Sequence, residues 1–221
     1  MKTIVIIHNL NSRGKNINED YVRELLNKKG IKFHYFQTKQ ISDIDEIIKK
    51  YNNPSEFQYC SIGGDGSLNA LVNSLMKNNI TMPEVSCLPG GSGSDFIRTF
   101  ALPQNIEEAV EHLIHDNFYE VDVGLIKNKT DAKYFINVLN IGFLASTVEI
   151  SEKFPNLFRA FRYPLSFWIK IITARAKEMS ISNEKYEFTG MAFNICVCNA
   201  QYFGGGWNIS PKSSLQDGLF N

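Results

Sequence analysis

The sequence predicts an α/β protein. A doubly wound parallel α/β domain occupies residues 1–120, and an antiparallel β domain follows over residues 121–221. Three observations carry this expectation. Short apolar runs alternate with helix-spaced apolar residues as far as residue 120, the pattern of βα units. Glycine-rich turns stand where those runs end. After Tyr119 the runs follow one another without helices between them, apart from one long segment at 157–178.

Thr3–Ile7 holds four consecutive apolar residues before polar ones begin, which reads as a buried strand. Asp20–Lys29 is a helix with Val22, Leu25 and Leu26 inward, and Ile31–Phe36 is the next strand. Ser42 is expected to cap a helix carrying Ile44, Ile47, Ile48 and Tyr51, because a hydroxyl there can accept from the first turn. Strand 57–62, helix 68–78, strand 84–88 and helix 105–116 complete the first domain. In the second, Tyr119–Ile126, Tyr134–Val138, Lys185–Thr189 and Met191–Cys198 are the expected strands. Pro164 starts or kinks a helix in the segment 157–178, so its regular part is expected at 164–177.

The turn Ile62-Gly-Gly-Asp-Gly-Ser-Leu-Asn69 is the most informative stretch. Gly63, Gly64 and Gly66 lack a Cβ, so the backbone can approach a ligand closely. The helix that follows aims N–H groups and a positive dipole end at the same place, which suits phosphate. Asp65 would repel bare phosphate, and its presence makes sense with Mg²⁺ between the two. The plainer reading is a tight βα turn with Asp65 near a helix N-terminus. Two further loops favour the ligand reading. Residues 89–95, Pro-Gly-Gly-Ser-Gly-Ser-Asp, follow a strand, and so do Asn9-Leu10-Asn11-Ser12-Arg13-Gly14-Lys15. Loops of this kind meet at the carboxyl edge of a parallel sheet, where open α/β folds bind ligands.

These motifs, together with Phe203-Gly-Gly-Gly-Trp207 and Pro211 through Asp217-Gly218-Leu219, resemble the diacylglycerol kinase catalytic family. Bacterial lipid kinases and the sphingosine and ceramide kinases belong to it. NAD kinases share the Gly-Gly-Asp-Gly turn without the later loop. The resemblance implies an α/β nucleotide domain followed by a β-sandwich that helps bind lipid, here incomplete. It implies ATP as the phosphoryl donor, Mg²⁺ as the metal and a lipid hydroxyl as acceptor. Nucleotide contacts would fall to Asn9, Thr38, Gly63, Gly64, Asp65, Gly66, Ser67, Leu68, Asn69 and Ser92, with Asp65 as the catalytic carboxylate holding Mg²⁺. A second, structural Mg²⁺ would take the Asp217 side chain and the carbonyls of Ser214 and Leu219. Ser67 and Ser92 replace the usual threonines and keep the hydroxyl, whereas Ala70, Ser94 and Leu10 depart from the usual Glu, Asn and Pro. The family's general base is a glutamate in a later Asp-Gly-Glu motif, which these 221 residues do not contain. A truncated chain is therefore expected, or a catalytically silent nucleotide- and lipid-binding remnant. An NAD kinase-like enzyme on a soluble substrate is the third reading.

Composition narrows the classes. Lys and Arg number 23, as do Asp and Glu, so nothing favours nucleic acid, which selects a basic face. Four cysteines without C-x-x-C spacing read as free thiols in a reducing, cytoplasmic setting. No signal peptide or membrane span is expected. Residues 157–177 mix aromatics with Arg159, Arg162, Lys170, Arg175 and Lys177. Such a helix can lie on an anionic membrane surface or pack on the second domain with its charges in water. The sequence also leaves a homodimer open.

Overall fold

The computed structural model describes residues 2–12, 17–91, 95–115, 117–142 and 174–221. Four parallel strands form its main sheet: β1 (Thr3–Asn9), β2 (Phe33–Thr38), β3 (Phe57–Gly63) and β4 (Val85–Pro89), in the order β2-β1-β3-β4. The register sets Ile4 beside Phe33, Ile6 beside Cys60 and Ser61 beside Cys87.

Strand side chains alternate between faces, and here both faces are covered. Ile4, Ile6, Cys60, Ile62 and Leu88 pack against Val22 and Leu26 of α1 (Glu19–Lys28) and Ala109 and Val110 of α5 (Ile106–His112). Val5, Ile7 and Tyr59 point the other way. They meet Ile44 and Ile48 of α2 (Ile41–Lys50) and Leu71 and Leu75 of α3 (Asp65–Lys77). Each helix is apolar on one stripe only, so each seals one face and leaves its polar side to water.

Helix starts follow local chemistry. Asn18 and Asn105 accept N–H groups of the first turns of α1 and α5 through their side-chain oxygens. Ser42 does not cap α2. The Asp43 carboxylate reaches back to the N–H groups of Lys39 (2.8 Å) and Gln40 (3.1 Å), making Gln40 the cap and leaving Ser42 inside the first turn. The last expected helix of this part ends early, at His112 rather than residue 116. A short helix, α4 (Asp95–Thr99), occupies the polar-apolar stretch after the third glycine-rich loop.

Beyond residue 120 the strands are short and largely antiparallel. β5 (Gly124–Lys127) pairs with β6 (Ala132–Phe135), and β8 (Lys177–Ser182) pairs with β9 (Glu187–Ala192). β7 (Val138–Gly142) pairs with β10 (Asn194–Cys198), and β11 (Tyr202–Phe203) with β12 (Trp207–Asn208). Several expected boundaries shift. Residues 119–123 are not in a strand, and Tyr134–Val138 is divided because the Asn137 carbonyl turns to accept the N–H groups of Asn199 and Ala200. Lys185 lies in a turn, since the Asn183 side chain takes the N–H groups of Lys185 and Tyr186. Lys177 opens a strand instead of closing a helix, and residues 157–173 lie outside the described residues.

The chain divides into two compact units, Met1–Val138 with Cys198–Asn221, and Leu139–Val197. The first contains the whole parallel sheet and also β11 and β12. The second contains the β8–β9 hairpin.

Candidate functional site

The sheet order places a switch point between β1 and β3. From β1 the chain crosses over α1 to β2 on one side, then returns over α2 on the opposite face to β3 on the other. The loops after β1 and β3 therefore diverge at neighbouring carboxyl ends and leave a crevice, where ligands of such folds bind.

Hydrogen bonds knit the three loops together there. Asn9, the last residue of β1, donates through Nδ2 to Ser67 Oγ at 2.9 Å, and its Oδ1 accepts the Asn11 N–H at 2.9 Å. The Ser12 hydroxyl donates to the Gly90 carbonyl, and the Gly90 N–H donates to the Gly63 carbonyl at 3.1 Å. Gly63 is required by packing. A Cβ at this position would stand 2.3 Å from Ser67 Oγ and 2.6 Å from Ser67 Cβ. Ser67 is 8% exposed, so its side chain has little room to yield. Gly66 borders open space, which leaves the first turn of α3 accessible to a ligand.

Asp65 is the first residue of α3. Its carboxylate accepts the N–H of Phe96 at 2.9 Å and of Asp95 at 3.1 Å, both at the start of α4. Burial pushes its pKa up from 3.8, and these N–H groups act in the opposite direction. Two bonds leave a carboxylate with further acceptor positions, so Asp65 is held firmly without being used up.

The remaining expected residues divide. Thr38 sits beside Asn9 in the strand register, but it is buried and its hydroxyl donates to the His8 carbonyl at 3.4 Å. Leu68 is buried. The Asn69 carbonyl accepts from Asn73 Nδ2 at 2.8 Å, while its own Oδ1 has no partner. Gly64 caps α3 in extended backbone. Ser92 lies outside the described residues. Near the last residues, Asp217 is exposed, and its Oδ1 accepts the Leu219 N–H at 3.0 Å. Asp122 lies by the same turn, accepting the Gly218 N–H at 2.7 Å. Ser214 accepts the Gln216 N–H at 3.3 Å through its hydroxyl. Among the described residues no cluster of three or more His, Cys, Asp or Glu side chains is gathered for a metal. Cys60 and Cys87 are pushed up to about 12 by burial, so both thiols stay protonated.

Sequence reasoning missed Asp95 as a site residue. It is 4% exposed, and its Oδ2 accepts the Gly205 N–H at 2.9 Å, across 110 positions of sequence. The only hint was the run of three glycines at 204–206.

The model of the diacylglycerol kinase catalytic domain matches residues 3–126. The chain belongs to the diacylglycerol kinase catalytic domain family. A second model, the YegS C-terminal NAD kinase beta sandwich-like domain, matches residues 137–221. The chain is 26% identical over 211 residues to "Probable lipid kinase YegS" of Escherichia fergusonii, covering 93% of this chain and 70% of the relative. It is 27% identical over 212 residues to "Probable lipid kinase YegS-like" of Klebsiella pneumoniae, covering 94% and 70%. A crystal structure of a diacylglycerol kinase from Bacillus anthracis str. Sterne superposes with a TM-score of 0.72 at 21% identity. That match covers 99% of this chain and 71% of the other, and at such identity it speaks for the fold. The chain thus falls in a family of lipid kinases, which use ATP as donor. Among the described residues no helix is long and apolar enough to cross a membrane.

Proposed function

We propose that this protein transfers the terminal phosphoryl group of ATP, with Mg²⁺, to the hydroxyl of diacylglycerol or a related lipid. The observation that supports this most is the junction of Asn9, Ser67 and Asp65 at the β1/β3 switch point. It combines a helix N-terminus for phosphate with one anchored carboxylate for a metal.

The residues fit both groups. The glycines from Gly63 to Gly66 let backbone approach phosphate, and the first turn of α3 offers N–H donors that a helix leaves unpaired. Gly63, Gly64, Gly66, Ser67, Leu68 and Asn69 would hold the phosphates, with Asn9, Thr38 and Ser92 completing the nucleotide contacts. Asp65 would hold the metal, directly or through water. When bound, Mg²⁺ neutralises charge on the phosphates. Asn9 fixes the Ser67 hydroxyl, and the N–H groups of Asp95 and Phe96 fix Asp65, so neither side chain must reorganise when charge shifts. A second Mg²⁺ would take the Asp217 carboxylate and the carbonyls of Ser214 and Leu219, a set of hard oxygen donors. We read residues 1–120 as the nucleotide half and 121–221 as the lipid half, the location as cytoplasmic, and 157–177 as a contact with anionic membrane.

Transfer of labelled phosphate from ATP to diacylglycerol in micelles tests the reaction, with NAD as the control acceptor because of the NAD kinase likeness of the second model. Asp65→Ala should abolish transfer and remove the Mg²⁺-dependent part of the thermal stabilisation by ATP. Undiminished Mg²⁺-dependent ATP binding in that variant would refute the metal role. Labelled NAD with unlabelled lipid would refute the acceptor.

A further inference from the structure

We infer that Asp95 is a positioning residue that pins the Gly204–Gly206 turn beside Asp65, so that this turn forms the acceptor side of the site; the inference rests on the lipid kinase reading. Asp95 works in two directions at once. Its backbone N–H holds Asp65 Oδ2 at 3.1 Å, and its own Oδ2 holds the Gly205 N–H at 2.9 Å. One residue thus ties the carboxylate at the head of α3 to the tip of the β11–β12 hairpin.

The tip is built for close approach. Gly204, Gly205 and Gly206 all have positive φ, at 64°, 93° and 110°, a conformation that side chains resist. A Cβ at Gly204 or Gly205 would meet nothing within 4 Å, so packing does not explain either glycine. At Gly206 a Cβ would stand 3.5 Å from the Arg98 guanidinium. The result is a turn of bare backbone facing open space, one residue removed from the donors that hold Asp65.

A carboxylate in this place is expensive to bury and has incomplete compensation. Asp95 is 4% exposed, its Oδ1 accepts no hydrogen bond, and Arg98 Nε stands 3.9 Å from that oxygen. A buried polar group left in this state calls for a functional reason. The turn also lies in the stretch matched by the second family model, residues 137–221. The nucleotide loops lie in the first, residues 3–126. Asp95 thus fastens a turn from the second stretch to the donors that hold Asp65, and it is on this turn that we place the acceptor.

The test compares the wild-type chain with Asp95→Ala and Asp95→Asn, the latter keeping an acceptor oxygen of the same reach. Amide hydrogen exchange at Gly205 should be about 10- to 100-fold faster in Asp95→Ala, the range for losing a hydrogen bond to a charged group. It should fall back to about 3- to 10-fold above wild type in Asp95→Asn, since a neutral acceptor forms a bond of the same geometry and about half the strength. In kinetics, Asp95→Ala should raise KM for the lipid acceptor and lower kcat. Its dissociation constant for Mg-ATP should stay within about twofold, because the backbone N–H that holds Asp65 is untouched. Unchanged Gly205 exchange in Asp95→Ala would overturn the inference, as would an equal loss of Mg-ATP and acceptor binding. Failure of Asp95→Asn to slow exchange below that of Asp95→Ala would overturn it as well, because charge and not hydrogen-bond acceptance would then hold the turn. Faster Gly205 exchange in a protein that phosphorylates no lipid would support the pin and overturn the lipid kinase reading.

Discussion

Replacing Gly63 by Ala should cost the parallel-sheet unit about 2–4 kcal/mol, and adding Ser67→Gly should bring the double variant back to about 1–2 kcal/mol. The new Cβ would fall 2.3 Å from Ser67 Oγ, well inside contact distance, and 2.6 Å from Ser67 Cβ. Ser67 is anchored by Asn9 and buried, so relief requires a shift of α3 or loss of the 2.9 Å bond from Asn9. Overpacking of this kind costs about 1–3 kcal/mol, and the lost bond adds about 1 kcal/mol. Ser67→Gly alone removes the same bond and weakens the helix, for about 1–2 kcal/mol. In the double variant no side chain remains at 67 to collide with, so its cost should match Ser67→Gly alone. The coupling between the two positions is then about 2–4 kcal/mol, far above the additive case. Urea unfolding of the four proteins, followed by circular dichroism, gives this number. Additivity within about 0.5 kcal/mol would refute the steric account of Gly63.

Stability should also depend on His8, which is 6% exposed, bonded to the Tyr35 hydroxyl at 2.8 Å, and lowered in pKa from 6.5 by burial, with Glu19 acting weakly against this. The unfolded chain then binds the proton first. Stability should fall as pH drops below 6.5 and level off once the folded-state pKa is passed; His8→Gln should flatten this slope in urea titrations between pH 7.5 and pH 5. Asn73→Ala should destabilise by about 1–3 kcal/mol, since its side chain both donates to and accepts from the Tyr134 backbone at 2.9 Å. A change below about 0.5 kcal/mol in chemical denaturation would show that water replaces both bonds. Liposomes with anionic lipid should retain the protein better than neutral ones, with release by salt; equal retention on both would refute the membrane contact of 157–177.

The α/β half was legible because its signal is local. Thr3–Asn9 is apolar on both faces, as only a strand covered on two sides can be, and the stripes on α1 and α2 match the faces they seal. The Gly-Gly-Asp-Gly turn between β3 and α3 was legible as well, since glycine spacing and one carboxylate are properties of consecutive residues. Beyond residue 120 the reading weakened. Lys177–Ser182 alternates too weakly to stand apart from the segment before it, and it becomes a strand through pairing with Glu187–Ala192. Ser42 has the chemistry of a cap, but the Asp43 carboxylate reaches back to Gln40 and moves the helix start there. The amino-acid sequence by itself determined the parallel layer, the family and the glycine-rich turn, because hydrophobic period and turn chemistry are written residue by residue. Only the tertiary structure decided that Thr38 turns its hydroxyl inward, that Ser67 makes Gly63 obligatory, and that Asp95 reaches Gly205. Those contacts join residues from 4 to 110 positions apart through the packing of separate elements, and no local pattern records which buried oxygen will face which distant N–H.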